Sequence, residues 1–268
     1  MGIGELLFLI PMEYIVVCLA ALLASALTLF SGFGLGTLLM PVVAIFFPLN
    51  LAIAITAIVH LLNNLFKFAL VGSQANRAVV LKFGIPALLA AFIGAGLLNI
   101  FASVKPIYKY FFFGSEFQIT LINLSVGFLI LIFLFLDFSK SFKSIALPMR
   151  WLPVGGIVTG FLGGFSGHQG AFRSMFLLNL NLSKEAFIST GVVIAVMVDI
   201  ARLFVYGVGF YQQSFAVDWS LTAAASLSAF IGAFLAVKCL KKVTYALIRI
   251  TISVILFVVS IGLISGLI

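Results

Sequence analysis

The amino-acid sequence predicts an all-α, polytopic membrane protein built from two inverted-topology repeats of about five helical segments each. Hydrophobic residues make up 64% of the 268 residues and charged residues 8%, whereas a soluble domain is about 45–50% apolar and about 25% charged. The stretch from Tyr14 to Val59 contains no charged residue and no histidine, and it is long enough for two bilayer crossings of about 20 residues each. The two halves of the chain also carry the same order of long and short apolar segments.

Ten apolar segments are predicted to be helices, and two of them are short. A helix of about 12 residues covers only about 18 Å of a hydrocarbon core about 30 Å thick. Each short segment follows a glycine-rich break, which reads SGFGLG at 31–36 and SGHQG at 166–170. The two short helices either cross the membrane or re-enter it from one face. In chain order the predicted segments are 13–31, 36–47, 50–71, 80–101, 118–137, 149–165, 169–180, 185–206, 217–237 and 244–267.

Basic residues lie mostly in the connections between these segments. The clusters are Arg77 with Lys82, then Lys140, Lys143 and Arg150, then Lys238, Lys241 and Lys242. The positive-inside rule places these connections in the cytoplasm and both termini outside. A re-entrant pair of helices leaves the following segments on the same sides of the membrane as two full crossings would. The net charge of +8 resides mostly in these connections, so it does not indicate nucleic-acid binding. We predict a first repeat at 1–137, a cytoplasmic linker at 138–150 and a second repeat at 151–268.

An internal repeat relates the two halves. When the chain is shifted by 134 residues, GLGTLLMPVVAIFFPLNLAIAIT (34–56) aligns with HQGAFRSMFLLNLNLSKEAFIST (168–190) without a gap. At a shift of 138, FIGAGL (92–97) aligns with FIGAFL (230–235). With five segments per half, the second half enters the membrane from the opposite face. Inverted repeats with an interrupted helix in each half are a recurrent plan of secondary transporters.

The two repeated motifs resemble the sulfite exporter TauE/SafE family of membrane transporters. The resemblance rests on SGFGLGTLLMPVVAIFFPLNLAIAITAI and on its echo GFSGHQGAFRSMFLLNLNLSKEAFISTGVVI. It implies a multi-pass protein of the cell membrane, in a prokaryote the inner membrane, that moves sulfite, sulfoacetate or thiosulfate-like anions. This chain departs from glycine-only breaks, because Leu35 stands in the first and His168 with Gln169 in the second. The departure leaves the substrate within the family open.

Each break provides chemistry that suits an anion. A break frees backbone N–H and C=O groups, which survive in hydrocarbon only when they are buried in protein or face a cavity. The helices restart at about Gly36 and Gly170, and a helix N-terminus offers partial positive charge and unsatisfied N–H donors. The predicted substrate-binding residues lie at the breaks and on the helices that follow: Gly34, Gly36, Thr37, Thr56, His60, Asn64, Gly167, His168, Gln169, Gly170, Arg173 and Thr190.

Several of these residues have a structural alternative. His168 either contacts substrate and carries a proton or donates to a freed carbonyl and seals the break. Arg173 either binds substrate or snorkels to the interface. His60, Asn64 and Lys67 share one helical face that lines a cavity, although Asn64 could instead join helices and Lys67 could snorkel. Thr56 and Thr190 either line the site or bond back to their own helix.

The predicted proton-coupling residues are His60, His168 and Asp199. Asp199 and Arg202 are three residues apart on one helix and can form an ion pair; a structural pair is favoured over a proton relay. Tyr206, Tyr211 and Trp219 are typical of an aromatic belt at a membrane boundary.

The leading functional hypothesis is a secondary transporter, in the export direction, for a small sulfur-containing or organic anion. The chain has no Walker-type loop, so alternating access driven by protons or by the substrate gradient is expected. An anion channel and an intramembrane enzyme are the alternatives. No catalytic residue, metal site or cofactor is predicted. The predicted partners are a small anion, protons, the lipid bilayer and a second copy of the chain as a homo-oligomer, but not nucleic acid.

Overall fold

The computed structural model describes residues 11–31, 34–71, 74–139, 148–178, 180–213, 217–239 and 245–268. These residues form ten helices and one two-stranded antiparallel hairpin. In chain order they are α1 (Met12–Ser31), α2 (Leu35–Val43), α3 (Leu49–Val71), α4 (Arg77–Ser103), β1 (Tyr108–Phe112), β2 (Ser115–Ile119), α5 (Leu121–Phe138), α6 (Leu152–Ser166), α7 (Gly170–Leu178), α8 (Lys184–Gln213), α9 (Trp219–Cys239) and α10 (Tyr245–Ser265). Each of the ten predicted segments corresponds to one helix, and the chain is an all-α polytopic membrane protein.

Four of the described helices are long and apolar enough to cross a bilayer, judged by length and composition. They are α3 over Leu49–Leu70, α4 over Arg77–Ser103, α8 over Lys184–Val208 and α9 over Trp219–Ala236. Shorter apolar stretches lie in α1, α5 and α10. The short helices α2 and α7 have nine residues each, so each covers only about 14 Å at 1.5 Å per residue.

The packing of the helices keeps the same pattern when the two halves are exchanged. α1 packs against α9, and its counterpart α6 packs against α4. α3 packs against α8, and α5 against α10. This is the packing expected of two repeats of five helices, because each helix pair then has an equivalent pair when the repeats are swapped. The repeat boundaries remain a prediction, and most of the predicted linker, 140–147, lies outside the described residues.

Glycines bring the backbones of the main helix pairs into contact. A Cβ at Gly160 of α6 would overlap the Ala87 carbonyl of α4, and one at Gly232 of α9 would overlap the Leu22 carbonyl of α1. Small residues allow this approach between membrane helices, where packing replaces the hydrophobic effect as the driving force. Each repeat therefore contributes one helix to each of two tightly packed pairs.

In the second half, α6 and α7 form a helix hairpin. α7 runs back along α6, and the Phe176 ring fills the space beside Gly155. Leu177 near the end of α7 and Leu152 at the start of α6 belong to one apolar cluster. Because the outer ends of both helices lie together, the structure favours the re-entrant alternative over two crossings here.

The β-hairpin was not predicted from the sequence, which placed residues 118 and 119 in a helix. The Tyr110 hydroxyl donates to the Ser265 carbonyl at 2.7 Å, which fixes the hairpin to the end of α10. Lys109 Nζ lies 2.7 Å from Glu116 Oε1, and this hydrogen bond lowers the pKa of the Glu116 carboxyl. The hairpin occupies the connection between α4 and α5.

Candidate functional site

Both predicted breaks are present. α1 ends at Ser31 and α2 begins at Leu35, and residues 32 and 33 between them lie outside the described part of the chain. α6 ends at Ser166 and α7 begins at Gly170. Gly167 in the second break has a φ of 81°, a left-handed conformation that glycine adopts without strain.

The two breaks touch each other in the middle of the molecule. A Cβ built on Gly34 would lie 3.5 Å from the backbone nitrogen of Gly170 and 3.5 Å from His60 Nε2. A Cβ on Gly36 would lie 3.2 Å from the Gly167 carbonyl oxygen. The first turns of α2 and α7 therefore meet beside the middle of α3.

Asp199 is the centre of a buried polar network next to this contact. It lies near the middle of α8 and is 0% exposed. His60 Nδ1 lies 2.6 Å from its Oδ2, and Asn64 Nδ2 donates to the same oxygen at 3.2 Å. Gln169 Nε2 and Arg202 Nε donate to its Oδ1 at 3.1 and 3.0 Å. One carboxylate thus joins α3 of the first repeat to α8 and the second break.

The predicted ion pair between Asp199 and Arg202 is confirmed, with Arg202 Nη2 2.8 Å from Asp199 Oδ1. The contact of Asp199 with His60 links positions 139 residues apart. No local pattern in the sequence indicates such a contact.

A cavity lies on one side of the touching breaks, and the roughly 480 Å³ of empty space there includes the open solvent at its mouth. It is enclosed by α1, the start of α2, the second half of α3, α7 and the first half of α8. Its polar lining comes from Thr28, His60, Asn64, Lys67, Arg173 and Ser174. Among the described residues that line it, two are cationic and none is acidic. The cavity wall is therefore positively charged.

Neutral groups hold both cations of the cavity. Lys67 is 5% and Arg173 is 9% exposed. Arg173 Nη1 donates to Gln169 Oε1 at 3.4 Å, and its Nε would lie 3.4 Å from a Cβ on Gly191. Lys67 Nζ lies 3.1 Å from the amide oxygen of Asn63 when that amide is oriented to satisfy its neighbours. A buried charge held only by neutral partners is costly, and a bound anion would offset this cost.

The structure divides the predicted site residues into three groups. The cavity is lined by Gly34, His60, Asn64 and Arg173. The touching backbones behind it contain Gly36, Gly167, Gln169 and Gly170. The remaining predicted residues do not line the cavity: Thr37, Thr56, His168 and Thr190.

Two of these remaining residues have well-defined surroundings. The Thr190 hydroxyl accepts from the Asn76 N–H at 2.8 Å, which joins the segment before α4 to α8. His168 Nδ1 lies 3.0 Å from the Ser166 carbonyl oxygen, and its ring lies 6.0 Å from the Phe133 ring. The contact with Ser166 matches the alternative in which His168 binds a carbonyl freed by the break.

The interpretation of Tyr206 as part of an aromatic belt is wrong. Tyr206 is only 1% exposed, and its hydroxyl donates to the Gly164 carbonyl near the end of α6. Its position one turn after Arg202 on the same helical face could have indicated a buried role. The Tyr211 side chain lies outside the described residues, while Trp219 is exposed, as a belt requires.

Interrupted helices whose first turns meet inside a polytopic membrane protein are characteristic of membrane transporters. The model of the Sulfite exporter TauE/SafE family matches residues 17–263, so the chain belongs to this family. A search of curated proteins and a search of solved structures gave no match. Members of the family are membrane transporters of sulfite or related anions rather than enzymes, and this chain is an integral membrane protein.

Proposed function

We propose that this protein is a secondary transporter that exports a small sulfur-containing or organic anion, such as sulfite or a sulfonate, by alternating access. The observation that carries the proposal is the buried cavity with Lys67 and Arg173 in its wall and no acidic residue among its described lining. Within the described residues three cations are buried, Lys67, Arg173 and Arg202, against one carboxylate, Asp199. Up to two positive charges, depending on the protonation of Lys67, therefore remain to be balanced by a bound anion.

The position of the cavity is consistent with loading of the anion from the cytoplasm. It lies beside the end of α3 and the start of α8, where Lys67 and Phe187 contribute to its wall. The basic residues Arg77 and Lys184 follow or precede these ends in the sequence. The positive-inside rule assigns this side to the cytoplasm, which in a prokaryote is the inner face of the inner membrane. The anion would then enter the cavity from the cytoplasm.

Protons are the proposed coupling ion, with His60 and Asp199 as their carriers. His60 Nε2 faces Gly34 at the cavity, while Nδ1 faces Asp199 Oδ2 at 2.6 Å. An imidazole placed between a cavity and a buried carboxylate can exchange a proton between them. A proton on His60 attracts an anion, and by linkage a bound anion favours the proton. The two would therefore leave together, and the outward gradient of the anion would drive export. Among the described contacts, His168 has neither the one with Asp199 nor the one with Gly34.

Flux measurements on the purified full chain in liposomes test the transport class. A carrier gives saturable uptake of labelled sulfite or sulfoacetate and accelerated exchange when unlabelled anion is present on the other side. Large currents that stay proportional to voltage would instead identify an anion channel. Binding of cations but of no anion tested (sulfite, sulfate, thiosulfate, sulfoacetate, taurine and lactate) would overturn the proposal.

A further inference from the structure

We propose that a second anion-contact site, centred on Arg202, lies on the far side of the touching breaks and is closed in this conformation. It would receive the anion after it leaves the cavity lined by Lys67 and Arg173. This inference rests on the proposed transport function. It assigns to Arg202 a contact with substrate in addition to its ion pair with Asp199.

Unpartnered polar atoms mark this second site. Within the described residues, a short set of buried side-chain atoms has no hydrogen-bond partner, and it includes Thr37 Oγ1, Thr56 Oγ1, His168 Nε2 and Arg202 Nη1. Thr37 lies in the first turn of α2, and Thr56 lies about one turn before His60 on α3. Arg202 lies one turn beyond Asp199 on α8. Buried polar groups normally find a partner. Thr28 Oγ1 at the cavity and Thr159 Oγ1 on α6 are also unpartnered, so the atoms near the breaks mark this site by their positions and not by their number.

Two of these residues, Thr56 and Arg202, border the touching glycines. A Cβ on Gly36 would lie 3.8 Å from Thr56 Cγ2 and 3.2 Å from the Gly167 carbonyl oxygen. A Cβ on Gly167 would lie 3.0 Å from Arg202 Nη1. The absence of side chains at both glycines lets the two breaks pack together and lets the Arg202 guanidinium lie directly against Gly167. A small anion at this position would meet a charged donor and hydroxyl donors together.

The other partners of Asp199 leave part of Arg202 available. Asp199 already accepts from His60, Asn64 and Gln169, and Arg202 contacts it through Nε and Nη2. Nη1 on the opposite side of the guanidinium makes no hydrogen bond, while the Tyr206 side chain also contacts Arg202. Arginine presents its N–H groups as a planar fork, so the ion pair and an anion can be held at the same time.

The fold explains why this site is closed. The Thr190 hydroxyl accepts a hydrogen bond from the Asn76 N–H. This contact joins α8 to the segment after α3 on the same side of the molecule as the cavity. Arg202 and Thr56 lie on the opposite halves of the same two helices. That side is filled by the large apolar cluster, which includes Ile53, Phe165 and Tyr206. In transporters with inverted repeats, the movement that closes one side opens the other.

Threonine-to-valine variants test the site with little change in shape. The double variant Thr37→Val/Thr56→Val is expected to bind methanesulfonate, added from the cavity side, with nearly the affinity of the wild type. Its flux should fall about tenfold, since losing hydrogen bonds to a charged group costs roughly this factor. The matched control is Thr159→Val, whose buried hydroxyl is also unpartnered but lies on α6 away from Arg202.

Two outcomes of this comparison would overturn the inference. Flux equal to that of Thr159→Val would show that the hydroxyls do not contact the anion. Equal losses of binding and flux would place them in the first site instead. A wild-type protein that neither binds nor moves the anion would instead contradict the proposed function itself.

Thiol labelling gives a readout that a purely structural role would not move. In a Cys18→Ser/Cys239→Ser background, a Thr56→Cys variant should react with an impermeant uncharged thiol reagent from the outer face, and faster when internal methanesulfonate drives turnover. An Ile188→Cys variant at the cavity should react from the cytoplasmic face. Labelling of the Thr56→Cys variant only from the cytoplasmic face, or from neither face during turnover, would contradict a second site on the far side.

Discussion

At the scale of single residues, the site depends on how each buried charge is balanced. Asp199 has four side chains around it, and its charge is matched by Arg202 at 2.8 Å. Lys67 and Arg173 are buried and have only amide partners in the described part of the chain. The cost of burying these two cations without a carboxylate makes sense for a cavity whose ligand supplies the negative charge.

Removing either cavity cation should weaken anion binding. Lys67→Gln and Arg173→Gln each delete one charged contact, so we expect about a tenfold or larger loss of affinity for sulfite or methanesulfonate. Isothermal titration calorimetry on the purified protein measures this directly. The matched controls are Lys82→Gln and Arg77→Gln, which remove the same charges from exposed positions on α4. Affinities that fall equally in controls and cavity variants would indicate a long-range charge effect without direct contact.

His60 should make anion binding depend on pH. The charged groups that influence the protonation of His60 are Asp199, Arg202 and Arg173. Because a proton on His60 adds positive charge beside the cavity, acidification should strengthen binding of methanesulfonate, which stays ionised throughout. His60→Gln keeps a donor toward Asp199 but cannot titrate, so its affinity should change less with pH than that of the wild type, with Lys67 in the cavity wall as the remaining titratable group. His168→Gln, the control, should keep the wild-type pH dependence. An unchanged pH dependence in His60→Gln would exclude His60 as the proton carrier.

At the scale of elements, sequence patterns located the helices and the breaks but not how they pack. Glycine and hydrophobic run length are local signals, so the breaks before Leu35 and Gly170 could be predicted. The hairpin of α6 and α7 could not, because the positive-inside rule gives the same parity for both alternatives. The contact between His60 and Asp199 joins the two repeats across 139 residues, and only tertiary packing decides it. The sequence leaves two roles open for Lys67, lining the cavity or snorkelling, because the depth of its side chain in the membrane depends on the same packing.

The contact of α6 with α4 should be sensitive to one methyl group. A Cβ at Gly160 would overlap the Ala87 carbonyl, so Gly160→Ala should lower the unfolding free energy by about 1–3 kcal/mol through overpacking. Gly96→Ala on α4 is the matched control, since a Cβ there meets nothing within 4 Å and alanine favours a helix. Thermal unfolding in detergent compares the two. A Gly160→Ala variant as stable as Gly96→Ala would show that the helices separate at little cost.

At the scale of the whole molecule, exchange of the two halves preserves the packing but not the chemistry. The cavity side carries Lys67 and Arg173, and the far side carries Arg202 and two threonine hydroxyls. Asp199 lies between the two sides and is bonded to both repeats through His60 and Gln169. A transporter that alternates between two states needs such a shared element, because each state must hold the same central contact while the sides open in turn.

Asp199→Asn should therefore separate binding from transport. The asparagine fits the same space but leaves Arg202 without its ion partner, and breaking a buried pair costs about 3–5 kcal/mol, so the melting temperature should fall. The cavity would become more positive, and anion binding should persist or strengthen. Saturating methanesulfonate at about 100 times its Kd should then raise the unfolding free energy of wild type and Asp199→Asn alike by about 2.7 kcal/mol. Arg173→Gln, with its weaker site, should gain less at the same concentration.

Flux through Asp199→Asn should be abolished, because the contact that joins the repeats no longer carries charge or a proton. Wild-type flux in this variant, measured alongside its intact binding, would show that Asp199 only stabilises the fold and that coupling uses another group.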